Sequence, residues 1–267
     1  MKPSAFALLI CVMGCEPSVV DAVRDPPPVE EPTPVNPLKS ALIHRYGFDG
    51  EGPAVLDSKG AAHGQLVGAG AFSGDGMLSL EGAHKGEYVD LPNGIVSGLQ
   101  AATFEAWLTW DGGNAWQRIF DFGNSTAGED KAGSGTSYLF FTTASSSANP
   151  QNAPAGLRVA YSQNGVTDEE VCYDSVPLPV GVETHTAVVI DPSTESMALY
   201  VDGAPVMACP LTRALSAIDD VNNWLGHSNF SADEDLAGTY DEFRIYGAAL
   251  SASEIADSFS AGPDAKP

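Results

Sequence analysis

Apolar and polar residues alternate with a two-residue period through much of this chain. Phe104, Ala106, Leu108 and Trp110 form one series, and Thr103, Glu105, Trp107 and Thr109 the other. Such alternation marks a strand with one face in a core and the other outside it. Comparable runs predict strands over Leu42 to Phe48, Met77 to Leu80, Glu87 to Leu91, Thr103 to Trp110, Arg118 to Phe122 and Tyr138 to Thr142. Further runs predict strands over Leu157 to Tyr161, His185 to Ile190, Met197 to Val201, Trp224 to Gly226 and Thr239 to Tyr246. Gly, Asn, Asp and Ser separate them. Asp202-Gly203, between Tyr200-Val201 and Pro205-Val206, reads as a two-residue hairpin turn, because both turn positions take positive φ. Many short strands with turn signals between them predict an all-β fold, a two-sheet antiparallel sandwich.

The last part of the pattern is the most informative. Phe243 and Ile245 share a strand face with Asp241, while Tyr240, Glu242, Arg244 and Tyr246 alternate to the other, so a carboxylate is expected among core residues. Ser251 with Glu254 makes a capping box, and Leu250 with Ile255 makes a hydrophobic staple, so one short C-terminal helix follows. The folded domain is read as residues 40–259, with 260–267 a polar tail.

The N-terminus has a different texture. Lys2, the apolar run Ala5 to Met13 and Gly14-Cys15 read as a signal peptide over residues 1–14, and the run is too short to span a bilayer. Val12-Met13-Gly14-Cys15 resembles a bacterial lipobox, which implies cleavage before Cys15 and a diacylglycerol on its sulfur; an ordinary signal peptide cut nearby is the alternative. Residues 15–39 then form a lipidated cysteine and tether: seven prolines lie between Glu16 and Lys39, with too few large apolar residues for a core. Such a segment is a semi-rigid spacer of about 3.1 Å per residue. The expected location is the bacterial cell envelope, at the outer membrane or cell surface, with the membrane touched through the lipid alone.

Charge narrows the partners. Twelve Lys and Arg stand against 35 Asp and Glu, a formal net charge of −23, which excludes nucleic acid because phosphate binding needs basic patches. The acidity keeps an exported protein soluble, or gathers carboxylates around calcium. Of the four cysteines, Cys11 leaves with the signal and Cys15 takes the lipid, so Cys172 and Cys209 remain. In an oxidising compartment they form a disulfide; two separate buried thiols are the other reading.

Several phrases fall in a particular order: His44-Arg45-Tyr46-Gly47-Phe48-Asp49, Val55-Leu56-Asp57-Ser58-Lys59-Gly60, Leu80-Glu81-Gly82, Tyr88-Val89-Asp90-Leu91-Pro92, Thr103-Phe104-Glu105-Ala106-Trp107, Leu199-Tyr200-Val201-Asp202-Gly203 and Asp241-Glu242-Phe243-Arg244-Ile245-Tyr246. This order resembles the laminin-G-like modules of the concanavalin A-like lectin and glucanase superfamily. The resemblance covers about Leu42 to Phe259 and implies a jelly-roll sandwich in which the first and last strands meet. It also implies a structural calcium there, with Asp241, Asp49 and the carbonyl of Gly82 as ligands and Asp57 a weaker match. Calcium suits such a set because it accepts six to eight oxygens in loose geometry. Asp241 as a mere acceptor of hydrogen bonds, or as a partner of Arg45, is the competing reading.

The superfamily includes glycoside hydrolases, which need two carboxyl groups in one cleft. The Glu-x-Asp-x-x-Glu strand pattern of the glucanase branch does not occur, and Glu105 has Thr, Trp and Thr at positions 103, 107 and 109. Glu105 therefore reads as a lone polar residue. Neither a His-Glu-x-x-His nor a Gly-x-Ser-x-Gly motif is present. The chain reads as a non-catalytic module binding carbohydrate or an extracellular protein. A glycoside hydrolase-like enzyme and a structural envelope protein are the alternatives. Trp116, in the glycine-rich loop Asp111 to Trp116, is the first ligand contact expected, with Asn114, Asp130, Tyr161 and Asn164 as polar and aromatic neighbours on surrounding loops. The runs Asp168-Glu169-Glu170 and Asp233-Glu234-Asp235 read as solvated loops, and Trp107 and Trp224 as core.

Overall fold

The structure is a computed structural model that describes residues 37–148 and 151–265. The expected signal peptide, Cys15 and all but the end of the tether lie outside the described residues. In chain order the strands are β1 (Leu42–Tyr46), β2 (Ala54–Val55), β3 (Gly64–Val67), β4 (Ala71–Phe72), β5 (Leu78–Ala83), β6 (Tyr88–Leu91), β7 (Ala102–Trp110) and β8 (Arg118–Ser125). They continue as β9 (Gly135–Ala148), β10 (Gln151–Ser162), β11 (Glu170–Tyr173), β12 (Glu183–Asp191), β13 (Ser196–Val201), β14 (Ala204–Pro210), β15 (Asn222–Leu225) and β16 (Asp235–Tyr246). Helices α1 (Pro37–Ala41) and α2 (Ala252–Ala261) flank them.

Two eight-stranded sheets result. The first runs β14-β13-β12-β7-β16-β5-β4 with β1 also on β16, and the second runs β11-β10-β9-β8-β15-β6-β3-β2. Every pair of named strands is antiparallel, as expected for an all-β sandwich. β1 and β16 pair with Tyr46 opposite Phe243, so the first and last strands do meet. Asp202 and Gly203 both take positive φ in the β13–β14 turn, the conformation that lets a two-residue loop match strand twist. The strands that alternation did not reveal, β2, β3, β4, β11 and β14, are two to seven residues long and sit at sheet edges or next to them, where less of each strand faces the core.

Phe104, Phe120, Phe122 and Phe243 pack between the sheets with ring centroids 4.8 to 6.4 Å apart. On the other side of the first sheet, Leu38, Leu42, Val189, Tyr246, Leu250 and Ile255 form a second apolar cluster beneath both helices. Ser251 and Glu254 make the expected capping box of α2. Glu105 is no lone polar residue: it is fully buried under α2, accepts from Tyr246 Oη and Ser258 Oγ at 2.8 Å, and lies 3.3 Å from His185 Nε2. The folded region also exceeds 40–259. Pro37 opens a helical turn, where its missing N–H costs nothing, and Arg244 donates to the carbonyls of Gly262, Pro263 and Ala265, holding residues past α2 against the sheet.

The face assignment of the last strand needs correction. The register of β16 on β7 skips between Tyr240 and Glu242, so Asp241 is the extra residue of a β-bulge. Tyr240, Phe243 and Ile245 face the core together, and Asp241 does not join them. Cys172 and Cys209 are disulfide-bonded with Cα atoms 5.4 Å apart, joining edge strand β11 of the second sheet to edge strand β14 of the first.

Candidate functional site

The outer face of the second sheet carries the chemistry. Inward residues Phe120, Phe122, Leu139, Phe141 and Val159 belong to the core. Their alternation partners Asp121, Tyr138, Phe140 and Arg158 therefore point outward, as the period of two requires, and the register irregularity between Arg118 and Phe120 brings Arg118 to the same face. The loop from β15 to β16 folds over part of this face, with Phe230 packing edge-on against Tyr138 at 5.3 Å.

Trp116 stands just before β8. The turn leading to it contains Gly112 and Gly113 at φ 90° and 117°. Gln117 pins that turn, donating to the Gly112 carbonyl at 3.1 Å and accepting from Trp110 Nε1 at 2.9 Å and from the Ala237 amide at 3.0 Å. Trp116 is then held at φ 76°, a left-handed conformation unusual for a bulky side chain, while its amide donates to Ala144 at 2.8 Å. Its ring is only partly buried.

Two guanidinium groups flank that ring, those of Arg118 and Arg158, each 5.8 Å from its centroid. Arg118 also lies 4.0 Å over Phe140 and donates to the Trp116 carbonyl at 2.7 Å and to Asp233 Oδ2 at 2.8 Å. Arg158 pairs with Glu169, which also accepts from Tyr138 Oη at 2.7 Å. Trp116, Arg118, Phe140, Arg158, Glu169 and Phe230 enclose a cavity of about 300 Å³. A second cavity of about 300 Å³ shares Trp116 and Asp233 with the first and adds His84, Asn114 and Glu234. An aromatic face beside fixed donors and acceptors is suited to a sugar ring, with its apolar face stacked and its hydroxyls hydrogen-bonded.

Asp121 lies beneath the first cavity, fully buried. It accepts from the Asn229 amide at 3.0 Å, from Asn229 Nδ2 at 2.9 Å and from Arg118 Nε at 3.2 Å. Burial pushes its pKa up, against the Arg118 charge and the Asn229 bonds that favour the anion. Ser228 Oγ is 3.4 Å from Asp121 Oδ2 and 2.9 Å from Asp233 Oδ2, so these two carboxylates are close neighbours.

The expected ligand contacts separate. Trp116 and Asn114 line the cavities, and Asn114 Nδ2 donates to Glu234 Oε1 at 2.7 Å. Tyr161 does not take part: it is a core residue whose hydroxyl donates to the Ala214 carbonyl at 2.6 Å, because its strand position points inward. Asn164 is exposed on the loop that carries Val166 and Glu169, without lining the cavity. Asp130 is elsewhere, bonded through its amide to Asn222 and near Asp90, whose pKa burial and the Asp130 charge push up to about 6. The two acidic runs are not merely solvated loops, since Glu169 and Asp233 neutralise the two arginines of the site and Asp168 pairs with Arg213.

The four expected calcium ligands do not converge. Asp57 is saturated, accepting from the amides of Arg45, Lys59, Gly60 and Ala62 at 2.8 to 3.1 Å and lying 2.7 Å from His44 Nδ1. Gly82 lies beside Ala237, about 13 Å along the ladder from Asp241 at 3.3 Å per residue. Asp241 has acidic neighbours instead: burial, Glu183, Asp264 and Asp49 together push its pKa up to about 6. Among the described residues, no three His, Cys, Asp or Glu side chains are grouped for a metal.

Asp57 is a folding residue. Its bonds outweigh the effect of burial and hold its pKa down at about 2, below the ordinary 3.8. The stabilisation is therefore present above pH 4 and lost as pH falls from about 4 to 2, and amounts to about 2 kcal/mol. Asp57→Asn is expected to lower Tm at neutral pH, since an amide nitrogen cannot accept from these N–H groups. The Tm gap to the native chain should close between pH 4 and 2; a gap that persists at pH 2 contradicts the assignment.

The family model described as the concanavalin A-like lectin/glucanases superfamily, of laminin-G type, matches residues 82–256. Domain 4 of an extracellular arabinanase from Geobacillus stearothermophilus, solved with arabinotriose, has a TM-score of 0.61 at 19% identity, over 81% of this chain and 97% of that one. Trypanosoma rangeli sialidase in complex with 2,3-difluorosialic acid gives 0.60 at 15% identity over 83% of this chain and 33% of its own, so the match spans a third of that enzyme. The CBM40 of the Ruminococcus gnavus IT-sialidase, bound to α2,3-sialyllactose, gives 0.53 at 14% identity, covering 68% of this chain and 95% of that one. No curated protein matches the chain. At these identities the structural likeness shows the fold alone.

Proposed function

We propose a function from one premise: the chain belongs to the laminin-G-type family of the concanavalin A-like lectin/glucanase superfamily. The outer face of its second sheet binds carbohydrate without catalysis, and the chain presents this module as an exported, lipid-anchored protein of the cell envelope. One observation carries the reading. Trp116 is held in a left-handed conformation with its ring partly exposed, beside two guanidinium groups and a cavity of sugar-ring size. Backbone strain of this kind persists where surrounding structure enforces it, and it clusters at ligand sites. Solved relatives of the same fold hold arabinotriose and α2,3-sialyllactose, which favours a glycan over other small molecules.

The non-catalytic reading rests on how the carboxylates of the site are engaged: Asp233 and Glu169 pair with Arg118 and Arg158, and Glu234 accepts from Asn114 Nδ2. Hydrolysis of a glycosidic bond in most families uses two free carboxyl groups that reach the substrate. Asp233 and Asp121 are close enough to one another, but Asp121 is sealed below Asn229 with both oxygens engaged. Incubation with plant and bacterial polysaccharides is expected to release no reducing ends, and release abolished by Asp233→Asn would establish the hydrolase instead. Binding is tested by glycan-array screening of the purified chain followed by calorimetry. Saturable binding to at least one glycan is expected, and silence across the array overturns the reading. Since Asp57 is saturated and Gly82 remote, calcium has no place in the proposal. Melting with and without EGTA should give one Tm, whereas a fall on chelation would establish a bound metal.

A further inference from the structure

We infer that the ligand is a neutral oligosaccharide of at least two sugar residues that crosses Trp116, rather than a monosaccharide or an acidic sugar; the inference rests on the carbohydrate reading above. Trp116 and Asp233 line both cavities and so form the ridge between them. Each cavity is about 300 Å³, at the bottom of the range of about 300 to 1,000 Å³ over which small-molecule sites occur. Together they suit a chain of rings.

The two sides differ in chemistry. The first offers the partly exposed rings of Trp116 and Phe230 beside the Arg158 guanidinium, a stacking surface. The second offers His84, Asn114 and Glu234, side chains that reach hydroxyls, and Asn114 is exposed and already oriented by its bond to Glu234. One sugar stacks, the next is held by hydrogen bonds.

The sign of the charge excludes anions. Arg118 faces Asp121 and Asp233, and Arg158 faces Glu169, so each guanidinium already has a carboxylate partner. Glu234 adds a further negative charge, in a chain whose formal net charge is −23. A ligand carboxylate would displace these partners and leave carboxylates unpaired at the rim, a costly exchange. A hydroxyl accepts from Arg158 and donates to the rim carboxylates without displacing either.

The test is calorimetry of the purified chain against arabino-, xylo-, gluco- and manno-oligosaccharides of one to four units, with 3′-sialyllactose and trigalacturonate as acidic probes. In the neutral series that binds, affinity is expected to rise by about tenfold or more from the monosaccharide to the trisaccharide, with both acidic probes weaker than that trisaccharide by a similar factor. Asn114→Ala and Glu234→Gln should bring the trisaccharide affinity down toward that of the monosaccharide. A monosaccharide that binds as tightly as its trisaccharide, or an acidic probe that matches the neutral one, overturns this inference while leaving carbohydrate binding intact. Silence in all four neutral series overturns the inference as well, and the broader glycan array then decides whether carbohydrate binding survives.

Discussion

Replacing Trp116 by alanine is expected to weaken glycan binding by about thirtyfold or more, the loss seen when a central aromatic contact contributes about 2 kcal/mol or more. The glycine variant is the sharper measurement. At φ 76° the tryptophan backbone is strained, and glycine adopts that conformation without a Cβ clash. Trp116→Gly should therefore lose binding just as completely while keeping or raising Tm, because strain relief of about 1 kcal/mol opposes the packing lost by a partly exposed ring. A residue retained for folding would behave the other way. A Tm fall of about 5 °C or more in the glycine variant, with binding kept, would mark Trp116 as a structural residue.

Breaking the Cys172–Cys209 bond should cost the most stability. The bond spans 37 residues, and in the chain-entropy model closing such a loop contributes about 3 to 4 kcal/mol. For a domain of this size that corresponds to a fall in Tm of about 6 to 15 °C, measurable in the Cys172→Ser, Cys209→Ser double variant or on reduction of the native chain. The position of the bond gives it a second effect. It ties the free edge of one sheet to the free edge of the other, so its loss should raise amide exchange first in β11 and β14 and only later in β7 and β16. Uniform exchange across the sandwich would contradict this order.

How much of this was legible beforehand depends on the kind of interaction. Alternation at Phe104 to Trp110, the turn at Asp202-Gly203 and the cap at Ser251 are local signals, and each appears where the spacing puts it. Order along the chain also carried the pairing of β1 with β16. Asp241 shows the limit: a single bulged residue reverses the apparent face of everything before it, and no composition marks the bulge. Tyr161 was misplaced because an aromatic at a strand end reads alike for either face. The arginines of the site were missed because their meaning is nonlocal. Arg118 meets Asp233, 115 residues away, so the acidic runs looked solvated until their partners came into view. In a chain with 12 basic residues, Arg158 between Leu157 and Val159 is the signal that was available, whereas Arg118 shares the parity of Phe120 and Phe122 and nothing in the sequence marks the irregularity between them.

Helix α1 has a consequence for how the ligand is met. Leu38 packs with Leu42, Tyr246 and Ile255 on the helix-covered side of the first sheet, whereas the cavity lined by Trp116, Phe140 and Arg158 opens from the far side of the second. Helix α1 and helix α2 therefore share one face of the sandwich, the one away from Trp116. Neither helix crowds the face at Trp116, and the two outer faces of the sandwich are divided between packing on one and open side chains on the other.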